Sequence, residues 1–115
     1  MVVRNETRGC VIAELADIAD TGAKRRKGLL GRNSLPEGHA LWIVPCESVH
    51  TCGMRFPIDV VYLDRKHMVR KVCKAISPWR VSICLLAHSV LELPAGVIDK
   101  TRTQRGDQLT LLRPE

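Results

Sequence analysis

Residues 56–76 read FPIDVVYLDRKHMVRKVCKAI, and this stretch decides the fold class. It contains two apolar runs, Ile58–Leu63 and Val69–Ile76, which are rich in β-branched residues and too short for ordinary helices. The polar residues 64–67 separate the two runs, as a tight turn between strands would. The stretch therefore predicts two strands joined by a turn.

Further runs of the same kind predict a sheet of five or more strands. Residues 9–18 alternate between two faces, as a first strand would. Pro, Gly and Asp residues bound the later runs, which are short enough to be strands. These later runs cover residues 40–44, 81–87, 90–93 and 108–112. The polar stretch between the last two has room for one helical turn.

One segment has the pattern of a helix instead. Asp20 or Thr21 can cap its N-terminus, and Gly31 is a plausible end. Between them, residues recur at the spacing of one helical face, namely Ala23, Arg26, Leu29 and Leu30. The predicted fold class is α+β, a mostly antiparallel, barrel-like curled sheet with one main helix packed against it.

Length and composition predict one independently folding domain over residues 1–115. A chain of 115 residues buries roughly 65% of the surface that its unfolded form exposes. Apolar residues make up 45% and charged residues 26%, which is ordinary globular composition.

The formal net charge of +6 favours anionic partners. Aromatic residues make up only 3% and are scattered singly, which argues against a nucleic-acid stacking platform. We therefore expect an acidic protein, a glycan or a small anion rather than nucleic acid. The helix carries Lys24, Arg25, Arg26, Lys27 and Arg32. Such a run is usually a solvated face, and docking to an acidic or phosphate surface is the functional alternative.

Five cysteines form an odd number, and a core of this size needs no disulfides. The first residues lack the apolar stretch of a secretory signal, and no window approaches the ~20 apolar residues of a membrane span. We expect a cytoplasmic protein with free thiols. An exported or envelope-associated location is the alternative if a signal has been removed.

Three motifs in order resemble one known family. They are RKGLLGR at 26–32, FPIDVVYLD at 56–64 and VLELPAG at 90–96. Together they resemble the family called domain of unknown function 192, over about residues 10–112. The resemblance implies no agreed activity, and it implies that many relatives are exported or envelope-associated. Many members carry a Trp-Met-Lys-Asn-Thr-like stretch where this chain has HTCGM at 50–54.

Cys46, His50, Cys52 and Met54 lie within nine positions. Sulfur and imidazole ligands suit zinc or cuprous copper, so Cys46, His50 and Cys52 are candidate metal ligands. A second ligand pair is missing, however, and buried cysteines beside a loop histidine are the simpler interpretation. We expect no cofactor, with a metal as the alternative.

His50 and Cys52 also suggest a nucleophile, because a histidine can generate a thiolate near neutral pH. Residues two apart in an extended loop point the same way, so the two side chains could touch. No orienting Asn or Asp is indicated by the spacing.

Asp59 shares a strand face with Val61 and Leu63, so its carboxylate needs a partner. Arg26 on the helix is the predicted partner, in a helix-to-sheet salt bridge. The alternative is a binding pocket lined by Arg26, His50, Cys52 and Asp59. Two other charged residues receive structural interpretations: Arg32 offsets the helix dipole, and Glu92 faces solvent or, as the alternative, pairs with a basic residue on a neighbouring strand.

Two classes of function follow. The first is a non-enzymatic accessory domain that binds a ligand or a partner, which the lack of a complete catalytic set favours. The alternative is a small metal-binding protein or an enzyme that uses the region of His50, Cys52 and Asp59.

Overall fold

The computed structural model describes residues 1–113, and their fold is mostly β with two short helices. The α+β class is therefore confirmed. The strands are β1 Val2–Asn5, β2 Cys10–Ala13, β3 Leu15–Ala19, β4 His39–Ile43, β5 Ser48–His50, β6 Ile58–Leu63, β7 Val69–Ile76, β8 Val81–Ile83, β9 Ser89–Pro94 and β10 Leu109–Leu112. The helices are α1 Gly22–Lys27 and α2 Val97–Thr101. Neither of these helices is long and apolar enough to cross a membrane.

The strands form three sheets. A five-stranded sheet has the order β3-β4-β9-β6-β7, in which only β3 and β4 are parallel. The hairpin predicted from residues 56–76 is present as β6 and β7. A three-stranded sheet has the order β10-β1-β2, and β5 pairs with β8 in a small third sheet.

Both faces of the five-stranded sheet are covered. On one face, Val61 and Leu91 pack in a cluster with Val3 of β1 and Ile98 of α2. On the other face, β6 and β9 contribute to a second cluster that includes Leu29, just after α1. Every residue of β6 is consequently buried, as is typical of a strand covered on both sides.

Barrel-like closure and a single main helix are not confirmed. Among the described residues the sheets stay separate, and β3 and β7 are the outer strands of the largest one. Helix α1 has the predicted cap, since Thr21 Oγ1 accepts a hydrogen bond from the Lys24 amide. It ends after six residues because Gly28 adopts a positive φ of 48°, which stops the helix before the predicted end at Gly31.

The predicted first strand is also divided. Residues 9–18 split at Glu14 into β2 and β3, which belong to different sheets. Strands β1 and β5 were not predicted, because three or four residues give too little alternation to recognise.

Asp59 holds the sheet and α2 together, and the predicted pairing with Arg26 is wrong. Its Oδ1 accepts a hydrogen bond from the Ala75 amide at 2.8 Å. Its Oδ2 accepts from the amides of Gly96 at 3.1 Å and Ile98 at 2.9 Å, at the start of α2. With the carboxylate 1% exposed, backbone amides take the place of the expected guanidinium.

Thr51 fixes the loop at residues 50–54. Its side chain is buried, and Oγ1 donates a hydrogen bond to the Ser77 carbonyl at 2.6 Å and accepts one from the Arg80 amide at 2.9 Å. Its backbone oxygen accepts from the amides of Met54 and Trp79. The loop after β5 is thereby tied to the residues that lead into β8.

Candidate functional site

A cavity of about 380 Å³ opens beside α1, between the loop that follows this helix and strands β4, β5 and β9. It is lined by four of the residues that the sequence suggested as metal ligands or pocket residues, namely Arg26, Cys46, His50 and Met54. A cavity of this size falls within the range of small-molecule sites.

Glu92 of β9 is the unexpected member of this lining. It is 3% exposed, and its Oε1 has no hydrogen-bond partner in the structure. Gly28 lies next to this atom, because a Cβ at that position would be 3.8 Å from Oε1, in van der Waals contact with it. Glu92 therefore places a buried carboxyl group with one unpartnered oxygen beside the cavity.

The environment of Glu92 disfavours the charged form of its carboxyl group. Burial raises the pKa of this carboxyl to about 7, although the Arg32 guanidinium acts in the opposite direction. Near neutral pH the group exists in both its charged and its neutral form. A partner that donates a hydrogen bond or carries a positive charge would favour the charged form.

Basic residues of α1 form the rim of the cavity. Arg25, Arg26 and Lys27 all line it. The side chain of Arg25 is held in place, since Nη1 donates to the Pro45 carbonyl at 3.3 Å and Nε to the Thr21 carbonyl at 3.4 Å. The cavity therefore has a carboxyl group on its inner wall and cationic groups at its rim.

Cys46 does not have the character of an activated nucleophile. Its Sγ donates a hydrogen bond to the Ser48 carbonyl at 3.0 Å. Burial raises the pKa of the Cys46 thiol, and the nearby Glu92 carboxylate adds to this effect. The thiol form is consequently favoured at neutral pH.

The other predicted site residues lie apart from this cavity. Cys52 is half-buried in the turn after Thr51, and it is not among the residues that line the cavity. Asp59 is fully engaged with backbone amides on the far side of β6. Within residues 1–113, no three His, Cys, Asp or Glu groups lie together as metal ligands would, and this includes the candidate ligands Cys46, His50 and Cys52.

The expectation that Glu92 faces solvent is wrong. Its strand, β9, lies between β4 and β6 in the sheet that is covered on both faces. Leu91 and Leu93 point to one cluster, and Glu92 points with Val90 to the other. The signal in the sequence was the apolar character of both faces of residues 58–63, which indicates a sheet with no solvent-facing side.

The fold is that of a small α+β domain with a cavity of ligand size. By sequence, the chain belongs to the family called domain of unknown function 192, described as "Uncharacterized ACR", whose profile matches residues 3–111. The predicted family resemblance is therefore confirmed. A UPF0127 protein from Thermococcus sibiricus (strain DSM 12597 / MM 739) is 35% identical over 112 residues, covering 91% of this chain and 71% of that protein.

Two solved structures share the fold. A protein of unknown function from Novosphingobium aromaticivorans DSM 12444 has a TM-score of 0.83 and 19% identity, covering 96% of this chain and 83% of the other. A protein from Sinorhizobium meliloti 1021, described as a candidate transcription regulator, has a TM-score of 0.82 and 19% identity, covering 95% of this chain and 89% of the other. At this identity the likeness concerns the fold alone.

Proposed function

We propose that this domain is a non-enzymatic binding module whose cavity receives a small zwitterion, a molecule with an ammonium group and an anionic group. The observation that carries the proposal is the Glu92 carboxyl, buried and without a hydrogen-bond partner on its Oε1, inside a cavity with a basic rim. Buried polar atoms normally have partners, so an unpartnered acceptor on a residue that lines a cavity points to a ligand.

The ammonium group is the part of the ligand that suits Glu92. A buried carboxylate without a partner is costly, whereas a charge-assisted hydrogen bond from an ammonium is short and strong. Binding of a cation would favour the charged carboxylate over the neutral acid. The ligand should therefore bind more tightly above pH 7 than below it.

The anionic group suits the rim. Arg25, Arg26 and Lys27 present three cationic side chains at the cavity. Arginine is well matched to carboxylate and phosphate through paired hydrogen bonds. With about 380 Å³ available, the cavity suits a molecule of amino-acid size.

A carboxyl with a pKa near 7 is also typical of general acids and bases. Catalysis would need further reactive groups in place. The thiol of Cys46 is favoured in its protonated form, and Cys52 is not part of the cavity lining. This combination supports binding rather than catalysis.

The ligand class can be tested with three molecules that share one carbon chain. β-Alanine carries an ammonium and a carboxylate, propionate lacks the ammonium, and propylamine lacks the carboxylate. We expect β-alanine to shift the amide NMR signals of Gly28 and Glu92, and to bind at least about tenfold more tightly than either analogue, since each lost charged contact costs more than ~1.4 kcal/mol.

Variants assign the two ends of the ligand. Glu92→Gln should remove the advantage of β-alanine over propionate, and Arg26→Ala should reduce its advantage over propylamine. Arg105→Ala is the matched control, because this exposed arginine lies in the loop before β10. Equal binding of all three molecules, or equal losses in Arg26→Ala and Arg105→Ala, would contradict the proposal.

A further inference from the structure

Five large apolar side chains are exposed close together between residues 79 and 86. They form what we call the apolar strip: Trp79, Val81, Ile83, Leu85 and Leu86. Each keeps between 53% and 77% of its surface exposed. Side chains this exposed protrude from the surface, and an apolar group of this kind in one place marks an interaction site.

The strip has a defined shape. Val81 and Ile83 lie on the outer face of β8, opposite His50 and Ser48 of β5. The backbone is anchored at Trp79, whose amide donates to the Thr51 carbonyl, and at Cys84, whose amide donates to the Glu47 carbonyl. The protruding side chains therefore stand on a fixed ridge.

Basic groups surround the ridge. Arg80 lies within the strip, and Lys71 Nζ donates to the Ile83 carbonyl at 2.9 Å. Arg65 and Lys66 line the same surface depression as Leu85 and Leu86.

Two acidic residues also lie nearby. Asp64 lines that depression and pairs with Arg70 at 3.6 Å, and Glu47 is bonded through its backbone to Cys84. The four basic groups around the ridge outnumber these two carboxylates. The surroundings of the strip are consequently cationic.

We propose that the apolar strip inserts into the surface of an anionic lipid bilayer. Tryptophan prefers the boundary between headgroups and acyl chains, and the aliphatic side chains gain by burial beneath it. The cationic groups around the ridge then face anionic headgroups, which attract each Lys or Arg near the surface. Protruding apolar side chains surrounded by cationic groups therefore suit an anionic lipid surface.

Binding can be measured with vesicles of phosphatidylglycerol and phosphatidylcholine, compared with vesicles of phosphatidylcholine alone. Trp42 is half-buried and packs edge-on against His67, so a change in tryptophan emission reports mainly on Trp79. We expect a blue shift and co-sedimentation with the anionic vesicles, with much weaker binding to the neutral ones. Added salt should weaken the binding.

Matched variants distinguish membrane binding by the apolar strip from nonspecific hydrophobic adsorption. Leu85→Ser combined with Leu86→Ser should weaken vesicle binding by at least about tenfold, because two inserting side chains are lost. Leu15→Ser combined with Leu112→Ser is the control, since these leucines are similarly exposed but lie on other strands.

Arg80→Gln should weaken binding by about fivefold. Glu92→Gln should bind vesicles like the wild type, which keeps this result separate from ligand binding in the cavity.

Three results would overturn the proposal. The wild type could fail to bind anionic vesicles, or the two leucine pairs could cause equal losses. The strip could also mediate self-association. In that case the wild type would not bind vesicles, and sedimentation equilibrium would show a dimer that the combination of Leu85→Ser and Leu86→Ser dissociates. That last result would assign the strip to a second copy of the chain.

Discussion

Asp59→Ala is expected to lower the free energy of unfolding by about 3–5 kcal/mol, the largest stability effect of any single change considered. The carboxylate is buried and accepts hydrogen bonds from three backbone amides, at Ala75, Gly96 and Ile98. Removing it leaves the buried Ile98 amide and the partly buried amides of Ala75 and Gly96 without this acceptor, at a cost of about 1–3 kcal/mol for each donor that stays buried. Urea denaturation followed by circular dichroism measures the loss.

Arg26→Ala is the informative control for this variant. If Asp59 depended on a salt bridge, the two substitutions would be similarly damaging. Because the structure gives Asp59 backbone partners instead, Arg26→Ala should change stability by only about 0.5 kcal/mol. An Asp59→Ala protein as stable as the wild type would show that the three hydrogen bonds contribute nothing.

Glu92→Gln is expected to make the protein about 3 kcal/mol more stable than the wild type at pH 8, and within about 1 kcal/mol of it at pH 5. Burial raises the pKa of this carboxyl from 4.5 to about 7. Between these values the native state holds a proton that the unfolded chain has released, so stability falls as pH rises. Each unit of pH in this window lowers the wild-type stability by up to about 1.4 kcal/mol.

The measurement is urea denaturation at several pH values between 5 and 8. Glutamine resembles the neutral acid, so the variant lacks this source of pH dependence. Glu14→Gln removes an exposed carboxylate and should follow the wild-type curve. The histidines titrate alike in all three proteins, so their contribution cancels when the curves are subtracted. A constant difference between wild type and Glu92→Gln at all pH values would contradict a raised pKa at this position.

Much of the fold follows from local patterns in the sequence. The hairpin of β6 and β7 was predicted from two apolar runs and one polar turn, and the start of α1 from its capping threonine. The assignment of strands to sheets was not predictable, as the division at Glu14 shows. Sheet membership depends on contacts between distant segments, which alternation along one strand does not encode.

The site was predictable only in part. His50 and Arg26 were singled out for their chemistry, and both line the cavity. Glu92 was missed because Leu91 and Leu93 beside it made an outward-facing side chain the simplest interpretation. Its burial depends on the loop that follows α1 covering the second face of the sheet.

The most direct test of the cavity is the pKa of the Glu92 carboxyl, followed by carbon NMR with and without saturating β-alanine. We predict a midpoint of about 7 in the free protein, because the group is buried and its Oε1 lacks a hydrogen-bond partner. Bound β-alanine should lower this midpoint, since its ammonium favours the charged carboxylate. A midpoint that is the same with and without β-alanine would contradict a zwitterion site at Glu92.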